Sequence, residues 1–175
     1  AIREQNPVGL EAKARMDRGE LVDDTTMIAV VKERLMRPDA KCGFVLDGFP
    51  RTVTQAVALD AMVKGGSPLV VVDIEVPEAA LIERLTTRRI CANCGWIAVP
   101  GLNACARCGG PLVQRRDDNV EVVRERLRVY DRDTQPLVEF YESRPTFRSV
   151  DGDQTPDAVA PDLAAAVASV VGGQA

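Results

Sequence analysis

The sequence predicts an α/β fold, a parallel sheet flanked by helices, carrying a small cysteine-rich insert. Three observations carry this. Short strand-like stretches at 43–46, 69–76 and 146–150 alternate with longer stretches of helical periodicity, and strands alternating with helices imply parallel pairing. The run 69–76 is rich in β-branched residues and nearly continuous, as expected of a strand in a sheet covered on both faces. Between Arg88 and Asp118 both periods vanish, and glycine, proline and cysteine take over.

Along the chain, 1–17 reads as two short helical pieces divided by Pro7, with Gly19 as a stop and 20–22 as a connector. Asp23 is the N-cap of a helix bearing Met27, Ile28, Val31 and Leu35 at helical spacing, which Pro38 ends. The strand 43–46 leads to a helix over 52–64 with Val53, Ala56, Leu59, Ala61 and Met62 for its buried side, and 65–68 is a turn. Pro77 starts the helix 78–87. After the insert, Asp117, Asp118 and Asn119 cap a helix reaching about Arg144, with a bend at Pro136. A strand at 146–150, a turn at 151–153 and an alanine-rich helix follow; Pro156 starts that helix and Pro161 is expected to bend or interrupt it.

With 175 residues, 46% of them hydrophobic and 27% charged, the chain has the size and mix of one soluble globular domain. A net charge of -4 argues against broad nucleic-acid or anionic-membrane binding, although arginines can still gather around a small anion. No run approaches a membrane span and no signal segment is visible, so a cytoplasmic protein is expected. The chain contains no histidine, which removes the commonest general base and Ser/His or Cys/His nucleophiles. Chemistry must come from carboxylates, arginines and cysteines.

Cys91-Ala92-Asn93-Cys94 and Cys105-Ala106-Arg107-Cys108 form two C-x2-C knuckles, each followed by glycine. Four thiolates at these spacings suit tetrahedral zinc, and because all four positions are sulfur the metal would be structural. Two disulfides are the alternative, disfavoured by the missing secretion signal. Arg84, Arg88 and Arg89 precede the insert, Arg115 and Arg116 leave it, and Arg124, Arg126 and Arg128 follow it. Such arginines commonly form a solvated face with glutamates, but bracketing an insert in an acidic chain fits a phosphate-lined cleft.

The decapeptide Gly43-Phe44-Val45-Leu46-Asp47-Gly48-Phe49-Pro50-Arg51-Thr52 resembles the segment G-F-[LV]-L-D-G-F-P-R-T of adenylate kinases and related nucleoside monophosphate kinases. The four-cysteine insert is similar to the lid of their zinc-containing bacterial type. This resemblance implies a P-loop-type nucleoside monophosphate kinase fold with a zinc-ribbon lid at 88–118, core at 23–87 and 119–175, and a share of the monophosphate-binding lobe at 1–22. It implies transfer of a phosphoryl group from Mg-ATP to AMP giving two ADP, by a monomer with structural zinc.

Carried over residue by residue, the resemblance places Arg51 and Gln55 on AMP, with Gly48, Leu21 and Val22 lining its site. Arg88 and Arg115 would bridge phosphates, Arg126 would hold the acceptor phosphate, and Arg84, Ile97, Ala98 and Gln154 would meet ATP. Asp47 matches a carboxylate that holds magnesium waters. Gln55 favours AMP because its amide can pair with an adenine edge as donor and acceptor. The resemblance also implies a strand and a Gly-rich phosphate loop ahead of Ala1; this chain without them is expected to have little or no activity. Another nucleoside monophosphate kinase is the alternative enzyme. A zinc-ribbon nucleic-acid or protein-binding module is the alternative of another class and predicts salt-sensitive binding.

Overall fold

The structure, a computed structural model, describes residues 23–66, 68–115 and 117–172. The helical pieces expected over 1–17, the stop at Gly19, the segment 1–22, and Leu21 and Val22 lie outside them. The chain divides into two compact units: the described residues up to Leu69 with Asp133–Ser143, and Val70–Arg132 with Arg144 onward.

In the first unit, Asp23 caps helix α1 (Asp24–Leu35) by accepting the Thr26 N–H at 2.8 Å. The helix ends at Leu35, three residues before Pro38 opens a short 3-10 turn, Pro38–Cys42. Thr52 caps α2 (Val53–Val63), its hydroxyl accepting the Gln55 N–H at 3.2 Å. Apolar faces of α1 and α2 meet around Val31, Phe49 and Leu59, flanked by Met27, Ile28, Leu35, Leu46, Val63 and Leu69. Helix α5 (Pro136–Glu142) packs on α2 and buries Leu137 and Tyr141.

The stretch 43–46 is not a strand. Its apolar residues do not make it one, because a strand exists only through ladder bonds to a neighbour, and no described segment pairs with it. It belongs to no helix or strand, and Val45 is 94% exposed.

The second unit holds the parallel sheet. Strand β1 (Val71–Glu75) pairs with β4 (Phe147–Asp151) in register from Val71 opposite Phe147 to Glu75 opposite Asp151. Cover on both faces is only partial among the described residues, because Ile74 is 47% exposed. Helix α6 (Pro156–Val171) packs on β4 and β1. Pro161 does not interrupt it: packing and the alanine-rich run outweigh a cost of about 3 kcal/mol for an interior proline. Helix α3 (Glu78–Thr87) packs on α4 (Val120–Val129), which buries Val123 completely. Between α4 and α5 the chain is π-helical over Tyr130–Thr134, so the expected long helix changes its winding just before Pro136. The insert carries two short antiparallel strands, β2 (Ile90–Cys91) and β3 (Leu112–Val113).

Candidate active site and metal centre

The two knuckles of the insert repeat one backbone pattern. Gly95 and Gly109 donate to the carbonyls of Cys91 and Cys105 at 2.9 and 2.8 Å, and both glycines are left-handed, with φ of 71° and 69°. The Cys91 and Cys105 N–H groups close the loops on Trp96 and Gly110 carbonyls at 2.8 and 2.9 Å. Gly110 leaves no room for a side chain, since a Cβ would stand 2.9 Å from Cys91 Sγ.

This folding brings the sulfurs of Cys91, Cys94, Cys105 and Cys108 within 4.8 Å of one another. Three separations are 3.4, 3.5 and 3.7 Å, close to the edge of about 3.8 Å for a tetrahedron of sulfurs about 2.3 Å from zinc. None of the cysteines is in a disulfide. The Cys94 N–H, opposed by burial and aided by the Asn93 N–H, brings the Cys91 thiol down to about 6. The Gly110 N–H pulls Cys108 down, but the Cys91 and Cys94 sulfurs outweigh it and push that thiol up to about 12.

At the base of the insert three arginines converge on two aspartates. Arg88 donates Nε and Nη2 to Asp118 at 2.9 and 2.6 Å, and Asp118 is fully buried. The Asp118 bonds hold the Arg88 guanidinium above its ordinary value, against the opposing effect of burial. Arg115 forks onto Asp117 at 3.0 and 2.6 Å, while Arg126 stands 3.5 Å from Asp117 and 3.9 Å from Asp118. Slight burial raises the Asp117 carboxyl, but the Arg115 bonds outweigh it and hold it below the ordinary range. Asp117 and Asp118 therefore pair with arginines; only Asn119 caps α4, accepting the Val122 N–H at 2.9 Å.

Arg84, on α3, reaches the turn after β4. Its Nη1 donates to the Gly152 carbonyl at 2.7 Å, and its Nη2 to Asp153 Oδ1 at 2.9 Å and the Gln154 carbonyl at 3.4 Å. Gln154 itself donates to the Asp151 carbonyl at 3.0 Å and to Asp162 at 3.2 Å. Ile97 is 59% exposed in the insert, and the neighbouring Ala98 N–H donates to the Arg89 carbonyl at 2.9 Å.

In the first unit Arg51 leaves a tight turn. Its Nε donates to the Gly48 carbonyl at 2.9 Å, and Gly48 has φ of 75°, where a Cβ would lie 3.0 Å from Arg51 Nη2. Buried Gln55 accepts the Arg51 N–H at 2.8 Å and donates to Asp24 Oδ1 at 2.7 Å. Asp24 Oδ2 accepts the Thr52 hydroxyl at 2.8 Å, and Thr134 donates to the Arg51 carbonyl at 3.0 Å. Gln55 thus already spends one amide hydrogen and one lone-pair direction on its own unit. Asp47 is exposed beside this turn. Asp24 and Thr134 also shape this turn, and no local pattern marks them because their partners lie 28 to 83 residues away along the chain.

An adenylate kinase family model matches residues 1–146. The chain belongs to the adenylate kinase family. Within it, an adenylate kinase of Archaeoglobus fulgidus is 46% identical, over 87% of this chain and 74% of that protein. An adenylate kinase of Geobacillus sp. (strain WCH70) is 46% identical over 93% of this chain and 79% of its own length, and one of Gloeobacter violaceus is 45% identical over 93% and 80%. Membership gives the α/β core with its parallel sheet, and the four close sulfurs fit the zinc lid of that family. No helix among the described residues is long and apolar enough to cross a membrane.

Proposed function

We propose that this protein transfers a phosphoryl group reversibly from Mg-ATP to AMP, giving two ADP. The observation that carries the reading is the gathering of Arg88, Arg115 and Arg126 around two aspartates at the base of the insert. Three guanidiniums against two carboxylates leave an excess positive charge suited to phosphate oxygens. Phosphoryl transfer asks mainly for positioning and charge stabilisation, so it needs no histidine.

Arg51 and Gln55 take AMP, with Gly48, Leu21 and Val22 lining its site; Arg126 takes the acceptor phosphate. Arg88 and Arg115 bridge the transferred phosphate, and Arg84, Ile97, Ala98 and Gln154 take ATP. Asp47 would hold the waters of the magnesium that accompanies ATP, and that ion would supply neutralisation of phosphate charge. Cys91, Cys94, Cys105 and Cys108 hold structural zinc, which orders 88–118 as a lid that closes and excludes water. The segments 23–87 and 119–175 form the core and 1–22 contributes to the monophosphate lobe. The protein works as a cytoplasmic monomer, with ATP, AMP and ADP as its partners.

The test is a coupled ADP assay of the full-length enzyme with AMP, UMP, CMP and GMP as acceptors. AMP is expected to be the preferred acceptor; preference for UMP or CMP would make it a different nucleoside monophosphate kinase. Arg51→Ala should lower turnover about 10³-fold, as for an arginine clamp on a phosphate. Stability should move by no more than about 0.5 kcal/mol, because the guanidinium is exposed. Near-normal turnover would remove Arg51 from the site.

A further inference from the structure

The ladder between β2 and β3 stops at Ile90 and Val113, yet the two chain segments leading away from it stay tied together. A single side chain supplies the next rung. Gln114 Nε2 donates to the Thr86 carbonyl at 2.8 Å and to the Asp118 carbonyl at 3.1 Å. Thr86 lies in the last turn of α3, where carbonyls lack an intrahelical partner. Asp118 immediately precedes Asn119, the cap of α4. One amide nitrogen therefore joins the end of the helix entering the insert to the start of the helix leaving it. The second rung is the Arg88–Asp118 pair.

An amide fits this place because its nitrogen carries two N–H donors for two carbonyls; a carboxylate of the same shape carries none. The residue after Gln114 is Arg115, whose guanidinium is held by Asp117 in a pair more than a third exposed on both sides, one that a phosphate can displace. Arg88, by contrast, is locked on a buried carboxylate through Nε and Nη2, and among the described residues its Nη1 has no partner. A slip of the outgoing segment would move Arg115 relative to Arg88 while altering neither charge.

We propose that Gln114 is a positioning residue for phosphoryl transfer: by tying Thr86 to Asp118 it fixes the two hinges of the insert so that Arg88 and Arg115 meet the same phosphate group. The proposal rests on the phosphate role given above to those two arginines.

The test is Gln114→Glu in the full-length, zinc-loaded enzyme, alone and combined with Arg115→Ala. Alone, it should lower kcat about 10- to 100-fold, the scale of a misplacement of about 1 Å, while KM for AMP moves less than about threefold. Zinc content should stay stoichiometric, and emission of Trp96, the single tryptophan and a residue of the insert, should stay unchanged. In the Arg115→Ala background the same change should cost no more than about twofold, because both act through one guanidinium. An equal loss in both backgrounds, or a loss that tracks zinc release or Trp96 emission, overturns the proposal while leaving Arg115 in the site. Normal turnover of Arg115→Ala alone removes Arg115 from the site, and the proposal with it.

Discussion

Gly152→Ala probes how the turn after β4 is held against β1. A Cβ there would stand 2.5 Å from Ile74 Cγ2, 2.6 Å from Val76 Cγ2 and 3.1 Å from the Glu75 carbonyl. Ile74 and Val76 are β-branched, so their side chains have little freedom to turn away, and the carbonyl belongs to the strand itself. The turn must move instead, although the Gly152 N–H is bonded to the Glu75 carbonyl at 2.7 Å. Overpacking of this kind costs typically about 1–3 kcal/mol, and three close contacts with stiff neighbours place this site near 2–3 kcal/mol. For a chain of this size that is a fall in Tm of roughly 5–10 °C. The displaced Gly152 carbonyl also loosens its bond from Arg84, so KM for ATP should rise more than KM for AMP. Urea unfolding monitored by circular dichroism, with both KM values, measures the two effects. A stability loss below about 0.5 kcal/mol, the ordinary range of a surface change, would refute the crowding argument.

Cys91→Ala should release the metal and leave the insert unfolded, because apparent zinc binding of about 10 kcal/mol or more is there the folding free energy; zinc still bound one to one would defeat the four-thiolate assignment. Gln55→Ala strands the Arg51 N–H and the Asp24 carboxylate. It should cost about 1–3 kcal/mol in chemical denaturation and raise KM for AMP, and unchanged stability would contradict the buried bridge. Asp73 is harder to ionise in the fold than its ordinary value of 3.8, through burial and then the Glu75 charge. Its contribution is therefore most favourable below pH 3.8 and is lost as pH rises through the raised folded value. Asp73→Asn should accordingly raise Tm at pH 7, with the gain closing in acid; a lower Tm at pH 7 would overturn that sign.

The features legible in the sequence were those whose partners lie within a few residues. Asp23 and Asn119 cap helices by bonding N–H groups three residues ahead, and each cysteine knuckle closes on its own glycine. Four sulfurs could be expected to meet because two C-x2-C knuckles suit one tetrahedral metal better than two disulfides. The decapeptide around Asp47 and Arg51 pointed to the family that the match over residues 1–146 then established.

What the sequence alone could not determine depended on distant neighbours. An apolar run at 43–46 looks like a strand, but strand character belongs to the ladder, and among the described residues none lies beside it. Asp117 and Asp118 carry the chemistry of helix caps, and only the return of the chain beside Arg88 and Arg115 turns them into ion-pair partners. Gln55 has an amide free to read a base until Asp24, thirty-one positions earlier, takes one of its hydrogens. The sequence by itself determined the local turns, the spacing that lets four cysteines meet, and the family. Tertiary structure decided which carboxylate meets which arginine, because ion pairs and ladders have energies set by separation in space, to which separation along the chain is no guide.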